Sequence, residues 1–204
     1  MTRTRRQLPR EFFERATLDV ARDLIGKVLV HETRAGIAAG RIVEVEAYIG
    51  EDDPACHAAP GPTRRNEPLY GPPGVAYVYL NYGIHFLTNV VTEADGFPAA
   101  VLLRALEPVE GIELMQRRRA GRAPRAARIP VEGLCRGPGN LSKALGITLK
   151  QNRLDMAGES PLRIEDWGLH AGELSWGPRI GINVGVDHPW RCYEVDCAAV
   201  SGRR

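Results

Sequence analysis

Three tyrosines stand close together at Tyr77, Tyr79 and Tyr82, and a carboxylate, Glu46, lies two residues before a fourth, Tyr48. Aromatic rings held side by side form a slot that stacks a planar base, at about 1–3 kcal/mol per stack. A carboxylate on the same strand face as such a ring can act on a water beside it. His57 adds a further ring. Read singly, each residue is ordinary: a tyrosine packs, a strand glutamate is solvated, a loop histidine is polar surface. Read together, they point to a cavity for a flat heterocycle with a hydrolytic acid at its side.

Other chemistries find less support. No G-x-S-x-G elbow is present and no cysteine stands in a nucleophile context. Cys192 and Cys197 lack a matching pair, and Cys56-His57 lacks the flanking pattern of a zinc deaminase, so no metal site is expected. Neither a Walker A loop nor a dinucleotide fingerprint occurs. The acids Glu44, Glu46, Glu51, Asp52 and Asp53 keep a metal-dependent nuclease open as an alternative, with the Glu44, Glu46 and Asp52 cluster as its centre. A non-catalytic binding module could use the same aromatic slot. Of 27 basic residues, only Lys27, Lys143 and Lys150 are lysines, and none falls in the tyrosine or carboxylate stretches. A Schiff-base nucleophile is therefore not expected.

The elements that must position these groups read mostly as strands. Arg41 to Ile49 alternates, with Val43, Val45, Ala47 and Ile49 on one face and Ile42, Glu44, Glu46 and Tyr48 on the other. Gly74 to Val91 is strand, turn and strand around Asn81-Tyr82-Gly83, a β-hairpin with an aromatic at its tip. On its return strand His85, Leu87 and Asn89 share a face. The proline- and glycine-rich segment 50–74, carrying His57, Arg64 and Arg65, reads as a long irregular loop of functional type. Lys27 to Glu32 and Pro98 to Leu106 are further strands, with Gly36 and Gly40 bracketing a turn. Arg104 interrupts an apolar run and so needs an anionic or polar partner. Thr17 is a candidate N-cap for a helix reaching Ile25, and Pro108 suits the first turn of another. The arginines at 117, 118, 119, 122, 125 and 128 read as a solvated loop that could contact phosphate. Arg136-Gly-Pro-Gly-Asn140 leads into a short helix, and strands are expected near 161–164, 179–184 and 190–195. Strands outnumber helices without alternating strictly, which predicts an α+β fold.

A chain of 204 residues favours one domain, here 11–204, preceded by a flexible basic tail over 1–10. Net charge is only +2, and 44% hydrophobic residues is ordinary for a globular protein. No run is long enough to span a bilayer and no secretory leader is seen, so a cytoplasmic protein with free thiols is expected.

The runs RIVEVEAYIGEDDPACH, YVYLNYGIHFLTNVV and AVLLRALEPVEGIELM, with GPGNLSKALGI and PRIGI after them, resemble the alkyladenine (3-methyladenine) DNA glycosylase family over roughly residues 8–197. The resemblance implies a single domain built on a curved antiparallel sheet with a protruding hairpin and flanking helices. It implies a monofunctional enzyme of base excision repair that flips alkylated or deaminated purines from duplex DNA and hydrolyses the N-glycosidic bond. Position by position, Glu46 matches the general base, and Tyr48, His57 and Tyr79 the pocket walls. Tyr82 matches the residue that fills the vacated stack. Asn89 matches one that disfavours guanine, and Arg104 one that helps place the water, which the Ile180 carbonyl also holds. Arg64, Arg65, Arg136 and Lys143 are candidate phosphate contacts. Double-stranded damaged DNA is the implied partner, with no cofactor, no membrane and a monomer sufficing.

Overall fold

A 14-residue strand, β3 (Gly36–Ile49), is the axis of the molecule. Its β-branched and aromatic content suits a pleated, half-buried surface. The first half pairs with β2 (Val28–Thr33) and the second with β9 (Arg191–Glu194). Along the other edge, from Ala39 to Ile49, runs β6 (Ala99–Glu110). Beyond β6 lie β5 (His85–Val91) and β4 (Ala76–Asn81), the arms of one hairpin. Beyond β2 lie β7 (Leu162–Asp166) and β1 (Arg6–Gln7), while β8 (Leu174–Gly177) pairs with β9. The computed structural model describes residues 5–121 and 128–202. Among these, nine strands form one antiparallel sheet. With helices α1 (Arg10–Phe13), α2 (Thr17–Leu24), α3 (Ile112–Ala120) and α4 (Pro138–Leu145), the fold is α+β in a single domain, as expected.

The helices bury one face of the sheet. Val20 and Leu24 of α2, Met115 of α3, and Leu141 and Leu145 of α4 pack on Leu29, Val45, Val101 and Leu103. The opposite face at β3, β6, β5 and β4 is left for the loops and the site.

Two irregularities in the β3–β6 ladder decide what that face displays. The register runs Ile42↔Leu106, Glu44↔Ala105 and Val45↔Leu103, so Val43 and Arg104 are each an extra residue. A bulge of this kind shifts side-chain parity by one. Ile42 therefore joins Val45 in the core, and Val43 instead packs with Ala105, Ala199 and Val200. Simple alternation had placed Ile42 with the carboxylates and Val43 with the core. The same bulges bring Glu44 and Arg104 together.

Several other local expectations are corrected. Of the expected tail over 1–10, residues 1–4 lie outside the described residues, and 5–10 are held: Arg6 pairs with Asp166 in the sheet, the Arg5 guanidinium lies 4.0 Å over the Trp167 ring, and Arg10 donates to Asp155 Oδ2 at 2.6 Å. Partners distant in sequence tie this segment down. Thr17 is the first residue of α2 rather than its cap, because its hydroxyl is engaged with Thr92 and Glu93. Gly40 lies inside β3, where a Cβ would meet Leu106 Cβ at 2.7 Å. There the glycine marks a close approach between strands, not a turn. Pro108 sits in β6 opposite Gly40, at a register shift, and α3 begins only at Ile112. Residues 117–119 belong to α3; Arg118 donates to the carbonyls of Ala144 and Leu145 at the end of α4. Arg119 donates to Gly133 O and Leu134 O. Arg122 and Arg125 lie outside the described residues. The expected strand over 179–184 is irregular chain; the nearest strand is β8.

Candidate active site

The site grows from the bulged middle of β3. Glu44 and Glu46, two residues apart, point to the same side and are both fully buried. Buried carboxylates need donors, and these have them. Glu46 Oε1 accepts from the Ile180 N–H at 2.6 Å; Oε2 accepts from the Tyr48 hydroxyl at 2.9 Å and lies 3.2 Å from Arg104 Nη1. Three of about four lone-pair positions on the carboxylate are thus taken, leaving one. Burial pushes the Glu46 carboxyl above its ordinary value, against the opposing pull of Arg104, the Ile180 N–H and the Tyr48 hydroxyl. Glu44 also raises it.

Arg104 spans both acids. Its Nε lies 3.2 Å from Glu44 Oε1, and its Nη1 also donates to the Ile180 carbonyl at 3.4 Å. The sequence requirement for an anionic partner is met twice over.

Above this cluster is a cavity of about 370 Å³, within the range of small-molecule sites. Tyr48, His57, Tyr79, Tyr82, Asn89, Arg104 and Ile180 all line it, so seven of the eight residues expected at the base pocket, its water and its wedge converge there. Glu46, the eighth, lies behind the wall rather than on it, bonded to three groups that form it. The His57 and Tyr79 rings meet edge to face at 4.4 Å, so they form one wall together. His57 Nδ1 lies 2.7 Å from the Tyr77 hydroxyl. Burial, then Arg65, holds the His57 imidazole below its ordinary value and so neutral. Burial pushes the Tyr79 hydroxyl up to about 12. Asn89 donates from Nδ2 to the Tyr77 carbonyl at 3.0 Å, which fixes its side chain at the cavity floor.

At the mouth stands Tyr82, 84% exposed, at φ 48°. With Gly83 at φ 71° it forms a turn closed by Ile84 N–H to Asn81 O at 3.1 Å. Positive φ costs a bulky L-residue about 1–2 kcal/mol. The hairpin therefore holds an aromatic ring in solvent at a conformational cost, a mark of function.

The phosphate candidates are dispersed. The Arg65 guanidinium lies 5.7 Å over the Tyr79 ring at the cavity rim, while Arg64 is exposed nearby. Arg136 is exposed and donates to the Ala198 carbonyl; Lys143 is exposed on α4. None of the three lysines lines the cavity, and Lys27 is paired with Asp166 at 2.5 Å.

Of the acids in the nuclease alternative, Asp52 is exposed, while Glu44, Glu46, Glu51 and Asp53 are engaged by donors of the protein itself. Glu44 accepts from Arg104, Arg191 and the Ser201 N–H. Asp53 is held bidentately by Arg179 at 2.6 and 2.8 Å, and Glu51 accepts from the Tyr70 hydroxyl. Among the described residues no three His, Cys, Asp or Glu side chains are grouped to hold a metal ion.

Sequence reasoning missed three supporting features. Tyr77 braces His57, and its i,i+2 parity with Tyr79 signalled it. Arg179 lies 4.7 Å from the Tyr48 ring and 5.1 Å from that of Trp190, with its charge met by Asp53. Ser201 reaches Glu44 and Arg104 from the far end of the chain. No local pattern announces the last two.

Comparison with known proteins agrees with this geometry. The profile described as methylpurine-DNA glycosylase matches residues 11–198. A protein of Methanocella arvoryzae is 48% identical over 199 residues, covering 96% of both chains. One from Burkholderia lata is 47% identical over 197 residues, 96% of this chain and 91% of its own. One from Koribacter versatilis is 46% identical over 199 residues, 97% and 94% respectively. Each of the three carries the provisional name 3-methyladenine DNA glycosylase. An aromatic cavity over a buried carboxylate and a match over nearly the whole chain lead to one conclusion: the chain belongs to the methylpurine-DNA glycosylase family and is a DNA glycosylase, a hydrolase of N-glycosyl bonds.

Proposed function

We propose that the protein flips alkylated or deaminated purines, of the 3-methyladenine, 7-methylguanine, hypoxanthine and ethenoadenine class, out of duplex DNA and hydrolyses their N-glycosidic bond. The observation that carries this reading is the buried Glu46 carboxylate, held by Tyr48, Arg104 and Ile180, directly behind the wall of an aromatic cavity.

Extruding a base costs a few kcal/mol, least for a damaged one. Tyr82, already held in solvent at the cavity mouth, fills the gap as a wedge. The flipped purine enters between Tyr48 and the His57–Tyr79 wall. An N3- or N7-alkylated purine is cationic, and stacking on these rings adds about 0.5–2 kcal/mol. The same charge makes it a good leaving group. As the glycosidic bond lengthens, positive charge develops on the sugar. The ionised Glu46 stabilises that charge and takes a proton from a water bound at its free lone pair. Ile180 and Arg104, fixed to Glu46 and to each other, line that position. Asn89, fixed at the floor, crowds the exocyclic amine of guanine. The product is free base and an intact strand with an abasic site. One cavity serves one flipped base, so a monomer suffices.

A panel of lesion duplexes, with the released base identified by mass and with or without EDTA, tests this. Release of an alkylated purine in EDTA is expected. Strand cleavage abolished by EDTA, without free base, would replace the reading with the nuclease one. Binding to lesion duplex with no release would leave only a damage-binding protein.

A further inference from the structure

The segment Asp196–Gly202 is far in sequence from the cavity, yet it closes the ion cluster beneath it. Ala199 and Val200 are buried against Val43, the extra residue of β3 at the bulge, and against Ala105, which pairs with Glu44. Ser201 follows, itself 7% exposed. Its N–H donates to Glu44 Oε2 at 2.7 Å, and its Oγ accepts from Arg104 Nη2 at 3.2 Å. Its carbonyl lies 3.5 Å from Arg191 Nη1, which also donates to Glu44 Oε1 at 3.0 Å. Next to it, Gly202 at φ 68° abuts Ile180: a Cβ there would stand 2.5 Å from Ile180 Cδ1. Two consecutive residues thus touch Glu44, Arg104, Arg191 and Ile180.

Each nitrogen of Arg104 consequently has its own acceptor. Nε goes to Glu44, Nη2 to Ser201, and Nη1 to Glu46 and the Ile180 carbonyl. A planar guanidinium fixed at two corners has its third corner fixed as well. We propose that Ser201 is a positioning residue for the hydrolytic site, which orients Arg104 so that its remaining nitrogen is presented to Glu46 and to the Ile180 carbonyl. Glu44 is then the anchor that Ser201 and Arg104 share, not a second base. This deepens the glycosylase reading above and rests on it.

The test uses the whole chain with Ser201→Ala, which removes the Oγ acceptor and keeps the N–H, and Ser201→Thr, which restores a hydroxyl. Single-turnover release of an alkylated purine is measured beside the Kd for the same lesion duplex. Expected for Ser201→Ala is a roughly tenfold slower release with Kd within about twofold of the parent, and substantial recovery in Ser201→Thr. Parental release in Ser201→Ala, or a loss only of folded fraction with the rate per folded molecule kept, overturns the proposal. A second readout does not depend on activity: carboxyl-carbon NMR titration of Glu46, whose charged and titratable neighbours are Arg104, Arg179, Glu44, Tyr48 and Tyr79. Loosening Arg104 weakens the cation nearest Glu46, so its titration moves upward in Ser201→Ala; an unchanged or lowered titration overturns the proposal. Were the parent itself to release no base, the glycosylase reading would fail, while the titration would still decide the role of Ser201.

Discussion

Arg104 Nη1 lies 3.2 Å from Glu46 Oε2, with both side chains buried. The pair is not isolated, because Glu44 and Ser201 occupy the other nitrogens of the same guanidinium. Removing the cation leaves two carboxylates buried side by side, with Arg191 and the Ser201 N–H still at Glu44. Breaking one partner out of a buried pair costs about 3–5 kcal/mol. Arg104→Ala is therefore expected to lower the free energy of unfolding by about that much in urea titration, and to abolish excision. Arg104→Lys is expected not to restore activity, since one ammonium cannot reach Glu44, Glu46, Ser201 and Ile180 at once.

Glu46→Gln separates chemistry from binding. A positioned general base contributes about 10²–10⁴-fold, so single-turnover excision should fall by that order. Lesion-duplex affinity should stay within about threefold, because the rings do the holding.

The pH dependence follows from the direction of the Glu46 shift. Burial raises its carboxyl above 4.5, so the ionised form is lost early on acidification. Excision should decline with falling pH through a midpoint above 4.5, and a flat rate down to that value would exclude Glu46 as the ionised base. Stability runs the other way. A carboxyl whose folded value is raised contributes stability below its unfolded value, and that contribution is lost as pH rises through the folded value. Glu46→Gln should thus melt at or above the parent temperature near pH 7.5, with the gap narrowing toward pH 4.5. The shift here places function above stability at this residue.

Much of this was legible in the residues. The strand RIVEVEAYI, the tyrosine hairpin and Arg104's need for an anion are local signals, and each is found in the fold. Carboxylate and rings were placed on one face by strand parity alone, and Glu44, Glu46 and Tyr48 obey it. Ile42 does not, because a bulge arises from pairing with β6 and leaves no mark in its own strand. Pro108 looked like a helix start since φ near −65° suits one, but a register shift in an antiparallel ladder tolerates proline equally. The α3 arginines looked solvated, yet Arg118 and Arg119 spend their donors on free carbonyls elsewhere in the chain. Ser201 was invisible for the reason that makes it interesting: its partners are 97 and 157 positions away.

The lysines give a chemical prediction. Lys27 is paired with Asp166, Lys143 and Lys150 are exposed, and among the described residues no amine lines the cavity. The proposed hydrolysis passes through no Schiff base, so borohydride added during turnover should trap no covalent protein–DNA adduct. The abasic product should stay uncut until alkali is added. A trapped adduct would show an amine acting at the sugar and overturn the purely hydrolytic reading.

Tyr82 makes the sharpest contrast between folding and function. Its ring is 84% exposed and its backbone sits at φ 48°, so it contributes little to the fold and carries local strain. Tyr82→Ser should therefore leave the thermal midpoint unchanged, and Tyr82→Gly should raise it slightly by relieving the positive φ. In the proposed reading the same ring replaces an extruded base on DNA, a stack worth about 1–3 kcal/mol. Both variants should bind the lesion duplex about 5–150-fold more weakly, with 2-aminopurine fluorescence reporting less flipped base at saturation. Full flipping and parental affinity in Tyr82→Ser would show that the exposed ring at the hairpin tip does not hold the emptied helix open.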